Sequence, residues 1–410
     1  MNPVPYVLSD LRSGRGTAAV VTLLIALSVA IGIGVSAQEL AVRRAANAAA
    51  DPFDLIVGAP GSQTQLLLSS VYLQPSAIGL VPGSVLQELT ERAEVASVSP
   101  LGFGDQYAGF PIVGVAPGFA TRNDRERLAA GRVFAAIDEA VVGSRVRLDI
   151  GDEFTPVHGF LEGGIGSPHG EFTYRVVGRM APRNSPWDAA ILVAIESVWF
   201  IHGMGTGHAE DGSIFDHADA VPIGPPWTAV EVPGVPAIVV EPVTIRDAYV
   251  LRSELRNRPT TTAIFPAEVL FELYALLGDV SAILAAFSLA TQLLVVIAVL
   301  VVVALTQRHK RSSLAVLRAL GAPRGYVLLA VWLAVAVQVV AGVLLGVGLG
   351  QIVAWVLSRV ASDQTGLSIV ATVSVREWRR AGLLGAAALV LAVVPAVVSY
   401  RDQVADALRR

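Results

Sequence analysis

Residues 17–37 read TAAVVTLLIALSVAIGIGVSA, an uncharged apolar stretch near the start of the chain. A hydrocarbon core about 30 Å thick needs roughly 20 apolar residues in a helix, so this stretch is long enough to cross a membrane once. Three more stretches pass the same test without Asp, Glu, Lys or Arg: residues 281–306, 327–357 and 381–399. The sequence therefore predicts four transmembrane helices. The third stretch is longer than a bilayer requires and is expected to tilt or to project into water.

The composition places the chain among membrane proteins. It has 410 residues, 53% of them hydrophobic, and a mean hydropathy of +0.60, which is too apolar for a water-soluble globule of this length. The formal net charge is −4, and no block of five or more like charges occurs, so the sequence predicts no nucleic-acid partner. There is no cysteine, which excludes disulfides and thiolate metal sites.

The first apolar stretch has two interpretations. Arg12 and Arg15 precede it, and Val35-Ser36-Ala37 at its end resembles a signal-peptide cleavage site, so cleavage after Ala37 is one alternative. The length of the stretch and its small residues at four-residue spacing favour a retained helix that packs closely against another. Similar spacing of glycines recurs in the third stretch. The predicted packing positions are Ala30, Gly34, Gly342, Gly346 and Gly350.

The basic residues that flank the apolar stretches predict the orientation, because Lys and Arg concentrate in cytoplasmic loops. Arg12 and Arg15 place the N-terminus inside, and five further Lys and Arg residues lie between the second and third stretches. With four spans, both termini are then cytoplasmic. Arg376, Arg379 and Arg380 fall outside in this arrangement and contravene the rule.

The segment between the first and second spans predicts a mixed α+β domain, because short β-branched runs recur between Gly, Pro and Asp residues. Helical spacing of apolar residues over 82–93 and 244–255 brackets a strand-rich insertion at about 130–240. The predicted fold is therefore four transmembrane helices with a large extracytoplasmic α+β domain. The predicted divisions are a cytoplasmic segment 1–16, spans 17–37, 281–306, 327–357 and 381–399, an external domain 38–280, a cytoplasmic segment 307–326, an external loop 358–380 and a cytoplasmic tail 400–410.

Residues 307–326, QRHKRSSLAVLRALGAPRGY, predict a short amphipathic helix between the second and third spans. Ser312-Ser313 are suited to cap its start, while Gly321 and Pro323 are suited to end it. From the residues alone, two interpretations stay open: a basic helix that lies on anionic lipid, or an element that docks onto a cytoplasmic protein. The sequence has no GxxxxGKS/T loop, so ATP hydrolysis is expected in a different chain. No GxSxG or HExxH motif occurs either, and we expect that the chain is not an enzyme.

The string Leu317-Arg318-Ala319-Leu320-Gly321-Ala322 resembles the coupling helix of the MacB/FtsX/LolC-type ABC permeases. The order of the predicted parts, one span, an external domain, three spans and a short tail, is similar to that family over nearly the whole chain. Asp54 to Ala59 and Glu139 to Gly143 also look like signatures of the family's external domain. The acidic residues that commonly precede the coupling element are replaced here by Ser312-Ser313, so contacts made by those acids are not expected.

The resemblance implies a MacB-like periplasmic core domain and a multi-pass protein of a bacterial inner membrane. It also implies a homodimer or heterodimer of permeases on two separate ATPase chains, which bind ATP and Mg²⁺ and drive a mechanical movement of the external domain. A periplasmic adaptor or substrate-binding protein is a further implied partner, and membrane lipid surrounds the spans. The residues implied to couple to the ATPase are Arg311, Leu314, Leu317, Arg318, Leu320 and Gly321.

A loop that bears histidines and acids is the candidate metal site of the external domain. Residues 202–234 are rich in Gly and Pro and predict a long exposed loop. Neutral imidazole and carboxylate together suit zinc and similar divalent ions, and His158 and His169 are candidates to approach the same place. The alternative is a solvated loop whose histidines bind nothing, since the spacing matches no fixed metal motif. The candidate ligands are His202, His208, Glu210, Asp216 and His217.

Three hypotheses about function follow. The leading hypothesis is the permease subunit of a MacB/LolC-like ABC transporter that exports or extracts an extracytoplasmic substrate. An FtsX-like regulator would use the same parts to pull on a periplasmic or cell-wall partner and would transport nothing. A metal-linked permease would use the histidine-bearing loop to receive or sense zinc. The four apolar stretches contain no charged residue, which disfavours an ion transporter.

Overall fold

The computed structural model describes residues 2–158, 172–208, 221–228, 230–309, 316, 318 and 321–393. The chain divides into two compact units. The helical unit comprises Met1–Arg43, Leu277–Ala361 and Ile369–Arg410, and the sheet unit comprises Arg44–Leu276 and Ser362–Ser368.

The described helices and strands are numbered separately in chain order. The α-helices are α1 (Val4–Ser13), α2 (Arg15–Ala50), α3 (Gln63–Ser70), α4 (Gly83–Glu91), α5 (Ile195–Ile201), α6 (Ile245–Arg256), α7 (Pro266–His309), α8 (Arg324–Thr365) and α9 (Val375–Leu391). The strands are β1 (Leu55–Gly58), β2 (Val95–Tyr107), β3 (Phe110–Val115), β4 (Ala130–Gly131), β5 (Glu139–Val142), β6 (Glu153–Phe154), β7 (Val157–His158), β8 (Tyr174–Arg179), β9 (Ile191–Ala194), β10 (Ala237–Pro242) and β11 (Thr262–Ile264). Short 3₁₀ turns lie at Pro117–Thr121 and Pro186–Ala189.

Three of the described helices contain segments long and apolar enough to cross a membrane: Arg15–Ala50, Leu289–Thr306 and Gly325–Thr365. The helices that carry them continue beyond the predicted spans. α2 extends past the predicted end at residue 37 because the sequence that follows, QELAVRRAANAAA, is made mostly of strong helix formers and lacks Gly and Pro. α7 begins at Pro266, well before the predicted residue 281, and proline is favoured at the first helical position.

The predicted external loop 358–380 is shorter in the structure, because helix extends into it from both ends. α8 runs for 42 residues to Thr365, and α9 already begins at Val375. A capping contact explains the early start of α9: the Glu377 carboxylate accepts a hydrogen bond from the Ser374 amide at 2.9 Å. Since the described residues end at 393, the predicted span 381–399 is described only in part, and the count of four spans stays a prediction.

Within the helical unit, α2 and α8 pack with their backbones close together. A Cβ atom added to Gly346 would lie 2.7 Å from both the Ala26 carbonyl oxygen and the Val29 Cβ atom. A Cβ atom on Gly342 would lie 2.7 Å from the Ile25 Cβ atom, and one on Gly350 would lie 3.0 Å from that of Ile33. The glycines therefore permit an approach that a larger residue would prevent.

The other two predicted packing positions lie on the same contact from the α2 side. Ala30 is buried, and its carbonyl oxygen would lie 3.2 Å from a Cβ atom on Gly350. A Cβ atom on Gly34 would lie 3.6 Å from Val353 Cγ1, an ordinary van der Waals distance. Gly34 is thus less confined than the α8 glycines.

The sheet unit is built on an eleven-stranded mixed sheet with the order β11-β1-β10-β2-β3-β9-β5-β8-β4; β6 pairs with β8, and β7 pairs with β2. The β3–β9 and β5–β8 pairs are parallel, and the other described pairs are antiparallel. α4 and α6 contribute Leu86, Leu89, Leu251 and Leu255 to the same buried core as the strands. These helices correspond to the segments predicted at 82–93 and 244–255.

β2 joins the two halves of the sheet. Its first part pairs with β10, and its last part pairs with β3 and β7. The pairing register with β3 shifts between Gly102 and Asp105, where Gly104 has a φ of 151° in the region that favours glycine. This bulge changes the direction of the strand just before Asp105, which belongs to the site described below.

Candidate functional site

The predicted coupling segment is described at its C-terminal end. Arg318 is helical, and Gly321 has a φ of 94° with its amide donating to the Arg318 carbonyl oxygen at 3.1 Å. A glycine in the left-handed region after a helical residue is a common helix C-cap, which fits the predicted role of Gly321. Arg311, Leu314, Leu317 and Leu320 lie outside the described residues, so their contacts stay a prediction.

His202 directly follows α5 and has one ring nitrogen fixed by the backbone. Its Nδ1 atom lies 2.7 Å from the Val198 carbonyl oxygen. Because a carbonyl oxygen only accepts hydrogen bonds, Nδ1 must carry the proton, and in the neutral ring Nε2 then presents a lone pair. This Nε2 atom lies 3.3 Å from Nδ1 of His158 and 3.9 Å from Oδ1 of Asp105.

Asp105 and His158 are directly opposite each other in the β2–β7 ladder, so their side chains share a face of the sheet. His158 Nδ1 lies 3.0 Å from Asp105 Oδ1. The Asp105 side chain is only 3% exposed, whereas that of His158 is 54% exposed. Asp105, His158 and His202 thus bring three atoms of metal-ligating type together at a position that solvent reaches from one side.

The structure places two of the predicted metal ligands in different surroundings. His202 faces Asp105 and His158, whereas His208 turns back to the start of α5, where its Nε2 atom lies 3.3 Å from Glu196 Oε1. The two histidines therefore serve different contacts. Glu210, Asp216 and His217 lie outside the described residues. Asp105 is absent from the predicted set, because it lies far along the chain from the histidines and only the pairing of β2 with β7 brings it to them.

Glu196 is fully buried and ties two loop segments to α5. Its Oε1 atom accepts hydrogen bonds from the Trp227 indole nitrogen at 2.7 Å and from the Gly224 amide at 2.9 Å. Trp227 is itself buried. The predicted exposed loop 202–234 is therefore anchored to the core at the ends that the structure describes, which the Gly- and Pro-rich composition does not reveal.

A cavity of about 90 Å³ in the sheet unit is lined by Phe53, Phe119 and Trp187 together with several arginines. These arginines are already paired: Arg183 Nε lies 2.8 Å from Glu126 Oε2, and Arg122 Nη1 lies 2.8 Å from the other oxygen of the same carboxylate. Burial lowers the pKa of Arg122. Arg122 and Arg183 are both paired with the Glu126 carboxylate. The cavity is therefore not a candidate anion site.

Helices of membrane-crossing length and a mixed-sheet domain in one chain define an integral membrane protein with a large domain outside the apolar spans. Residues 285–404 match the family model described as FtsX-like permease C-terminal. The match includes the segment that carries the LRALGA string. The match agrees with the resemblance predicted from the sequence: this part of the chain is similar to the FtsX-like permeases.

The solved structures similar to this chain include two extracytoplasmic domains of transporters. The periplasmic region of MacB from Actinobacillus actinomycetemcomitans is 10% identical with a TM-score of 0.33, covering 55% of this chain and 95% of that chain. The extracellular domain of the noncanonic ABC-type transporter YknZ from Gram-positive bacteria is 9% identical with a TM-score of 0.29, covering 51% of this chain and 98% of that chain. No curated protein matches the chain.

Proposed function

We propose that this chain is the permease subunit of a MacB/LolC-like ABC transporter. A separate ATPase binds the segment 307–326 in the cytoplasm, and ATP-driven motion passes through the spans to the sheet unit, which lies outside the membrane. The motion exports or extracts an extracytoplasmic substrate such as a lipoprotein, a peptide or a small amphiphile. The observation that carries the proposal is the FtsX-like permease match over residues 285–404, which contains this segment.

The chain has continuous helices that suit the transmission of motion. α7 begins at Pro266, directly after β11, and runs as one helix of 44 residues to His309, so its last three residues already belong to the proposed ATPase-binding segment. α2 likewise runs for 36 residues to Ala50, shortly before β1. A hydrogen-bonded helix conveys a displacement along its axis better than a flexible linker does. This continuity supports a mechanical role for the helices.

The proposed assembly contains two copies of the permease, identical or related, and two ATPase chains that bind ATP and Mg²⁺. The basic residues of 307–326 support its cytoplasmic position. Both termini are then cytoplasmic, and the membrane is the inner membrane of a bacterium. In this proposal the chain carries out no chemical step, and a periplasmic adaptor or substrate-binding protein completes the path of the substrate.

The proposal is tested by affinity purification of the full chain in mild detergent, with mass identification of the ATPase that accompanies it. The recovered complex is then reconstituted in liposomes for ATPase assays. We expect Arg318→Glu to reduce ATPase binding and ATPase stimulation at least tenfold, because a carboxylate replaces the cation of the docking segment. Arg256→Glu, the same charge change on an exposed residue at the end of α6, should leave both unchanged.

Recovery of no ABC ATPase with the parent chain would overturn the permease proposal. Equal ATPase stimulation by the parent chain and the Arg318→Glu variant would remove Arg318 from the coupling role. An ATPase complex that binds a cell-wall partner outside the membrane, without ATP-dependent movement of a substrate, would favour the FtsX-like regulator instead.

A further inference from the structure

We infer that Asp105, His158 and His202 bind a zinc ion in the sheet unit. The fourth coordination position is left to water. This inference goes beyond the permease role and does not depend on it. It also differs from the loop site that the sequence predicts. His202 belongs to both sets and His158 is a predicted candidate to approach the loop, whereas Asp105 is new.

The separations of the three ligand atoms fit a tetrahedral zinc ion. With metal–ligand distances of about 2.0–2.1 Å, tetrahedral geometry places neighbouring ligand atoms roughly 3.3 Å apart. The His158 Nδ1 to Asp105 Oδ1, His202 Nε2 to His158 Nδ1 and His202 Nε2 to Asp105 Oδ1 distances are 3.0, 3.3 and 3.9 Å. These values lie on both sides of the expected one, so small side-chain rotations are enough to seat the ion.

The hydrogen bond from His202 to the Val198 carbonyl oxygen prepares this imidazole for a metal. Ligating histidines usually donate their second ring N–H to a carbonyl or carboxylate, which fixes the tautomer and the orientation of the ring. The 2.7 Å contact at Nδ1 does this here. The nitrogen left to ligate is Nε2, which is the atom that points toward His158 and Asp105.

The charges of the three residues also favour a divalent cation. Asp105 is buried, and a carboxylate in such a position needs a cation or strong hydrogen bonds to stay ionised. Two neutral imidazoles and one carboxylate form a nitrogen- and oxygen-rich set that suits zinc, and the site contains no thiolate that would favour softer ions.

The ligands come from separate elements of the sheet unit. Asp105 is in β2, His158 is in β7, and His202 follows α5. A bound ion would join all three elements and would stabilise the sheet unit against unfolding. The exposed side of His158 gives the ion a path from solvent.

The test uses the purified full chain, stripped of metal with a chelator, and zinc titration against a chromophoric zinc chelator. We expect one zinc per chain and a higher unfolding temperature with zinc than without it. Loss of an outer-shell partner lowers metal affinity about 10–100-fold. His158→Ala and His202→Ala each remove a direct ligand, so each should lower zinc affinity by more than that. Asp105→Asn, which keeps the shape but removes the charge, should also weaken binding.

The matched controls are His208→Ala and His217→Ala, which belong to the loop set predicted from the sequence. They should retain one tight zinc per chain. Circular dichroism of the metal-free proteins checks that each variant folds; His158→Ala is the safest ligand variant because half of that side chain already faces solvent. If zinc affinity falls only in the His208 and His217 variants, the site at Asp105 is wrong. Equal affinity in all variants, or no zinc bound at micromolar concentration, would also overturn it.

The metal test and the ATPase test can fail separately. Zinc binding is measured on the chain alone and needs no ATPase. If the His158→Ala variant still recovers the ATPase but binds no zinc, both proposals stand. A chain that recovers the ATPase and binds no zinc before substitution keeps its permease role and loses the metal site.

Discussion

Different interactions stabilise the helical unit and the sheet unit. In the helical unit, the glycines of α8 let its backbone approach that of α2, and large apolar side chains such as Leu23 and Leu27 point outward with 60% and 53% of their surface exposed. In the sheet unit, large apolar side chains fill the core, and buried polar groups such as the Glu196 carboxyl group have specific hydrogen-bond partners. Lipid offers no hydrophobic drive for helices to associate, so close packing takes over in the first unit. The two units should therefore be sensitive to different substitutions.

A polar junction in the helical unit accounts for one residue that contravenes the orientation rule. Arg380 Nη1 donates to Ser36 Oγ at 2.8 Å, and Ser36 Oγ lies 3.3 Å from the buried Glu377 carboxylate. The guanidinium group therefore has a local partner in α2. Arg380 contributes to packing within the unit, so its position is weak evidence about the side of the membrane.

The largest expected effect comes from filling the α2–α8 contact. Gly346→Leu places side-chain atoms where a Cβ atom alone would already lie 2.7 Å from the Ala26 carbonyl oxygen. A backbone atom cannot move aside as a side chain does. We therefore expect the free energy of unfolding to fall by about 1–3 kcal/mol or more, the range typical of overpacking. The measurement is the temperature at which the chain loses its monodisperse peak in detergent.

Gly348→Leu is the control for that experiment. It introduces the same residue two positions along α8, where no atom lies within 4 Å of an added Cβ atom. It should leave the melting temperature nearly unchanged. If both leucine variants destabilise the chain equally, the effect comes from helix propensity or lipid exposure, and close packing does not distinguish the helical unit.

The next effect concerns the buried carboxylate of the sheet unit. Glu196→Ala leaves the Trp227 indole N–H and the Gly224 amide without the oxygen that accepts their hydrogen bonds. Each buried donor that loses its partner costs about 1–3 kcal/mol, so hydrogen exchange around α5 and Trp227 should become faster. Exchange in α2 and α8 should stay as it is.

Glu196→Gln separates the lost acceptor from the lost charge. Its amide oxygen can still accept from Trp227, so the variant should lose less protection than Glu196→Ala does. Equal loss in both variants would mean that charge, and not the acceptor, holds the loop to α5. Faster exchange in the helical unit as well would break the distinction between the two units.

The sequence predicted local features well and long-range contacts poorly. The apolar spans follow from length and composition, and α4 and α6 follow from apolar residues at helical spacing. β2 was not predicted, because Pro100, Gly102 and Gly104 interrupt its alternation and two of its partners, β7 and β10, are distant in the chain. The proposed zinc ligands show the same limit. Residue type and a turn-rich setting pointed to His202, but only the register of β2 with β7 adds Asp105.

The smallest expected effect is the pH dependence of the ion pairs between α4 and α6. Arg258 contacts Glu88 at 2.6 Å, and Arg92 contacts Glu254 at 2.7 Å. The hydrogen bond from Arg92, followed by the one from Arg258, lowers the pKa of Glu254 to about 2. A carboxylate with a lowered pKa in the folded state stabilises the fold above its unfolded pKa of 4.5, and this stabilisation is lost as the pH falls from there toward 2.

Because the Glu254 side chain is 38% exposed, water and salt screen the pair, and we expect less than about 1 kcal/mol at pH 7. Arg258→Met should speed hydrogen exchange in α4 and α6 at pH 7, after correction for intrinsic rates. The difference from the parent chain should shrink as the pH falls from about 4.5 toward 2. Arg175→Met, which removes an exposed arginine paired with Glu153, should leave α4 and α6 unchanged. A difference that stays constant over this pH range would show that Arg258 acts through packing of its aliphatic stem and not through its charge.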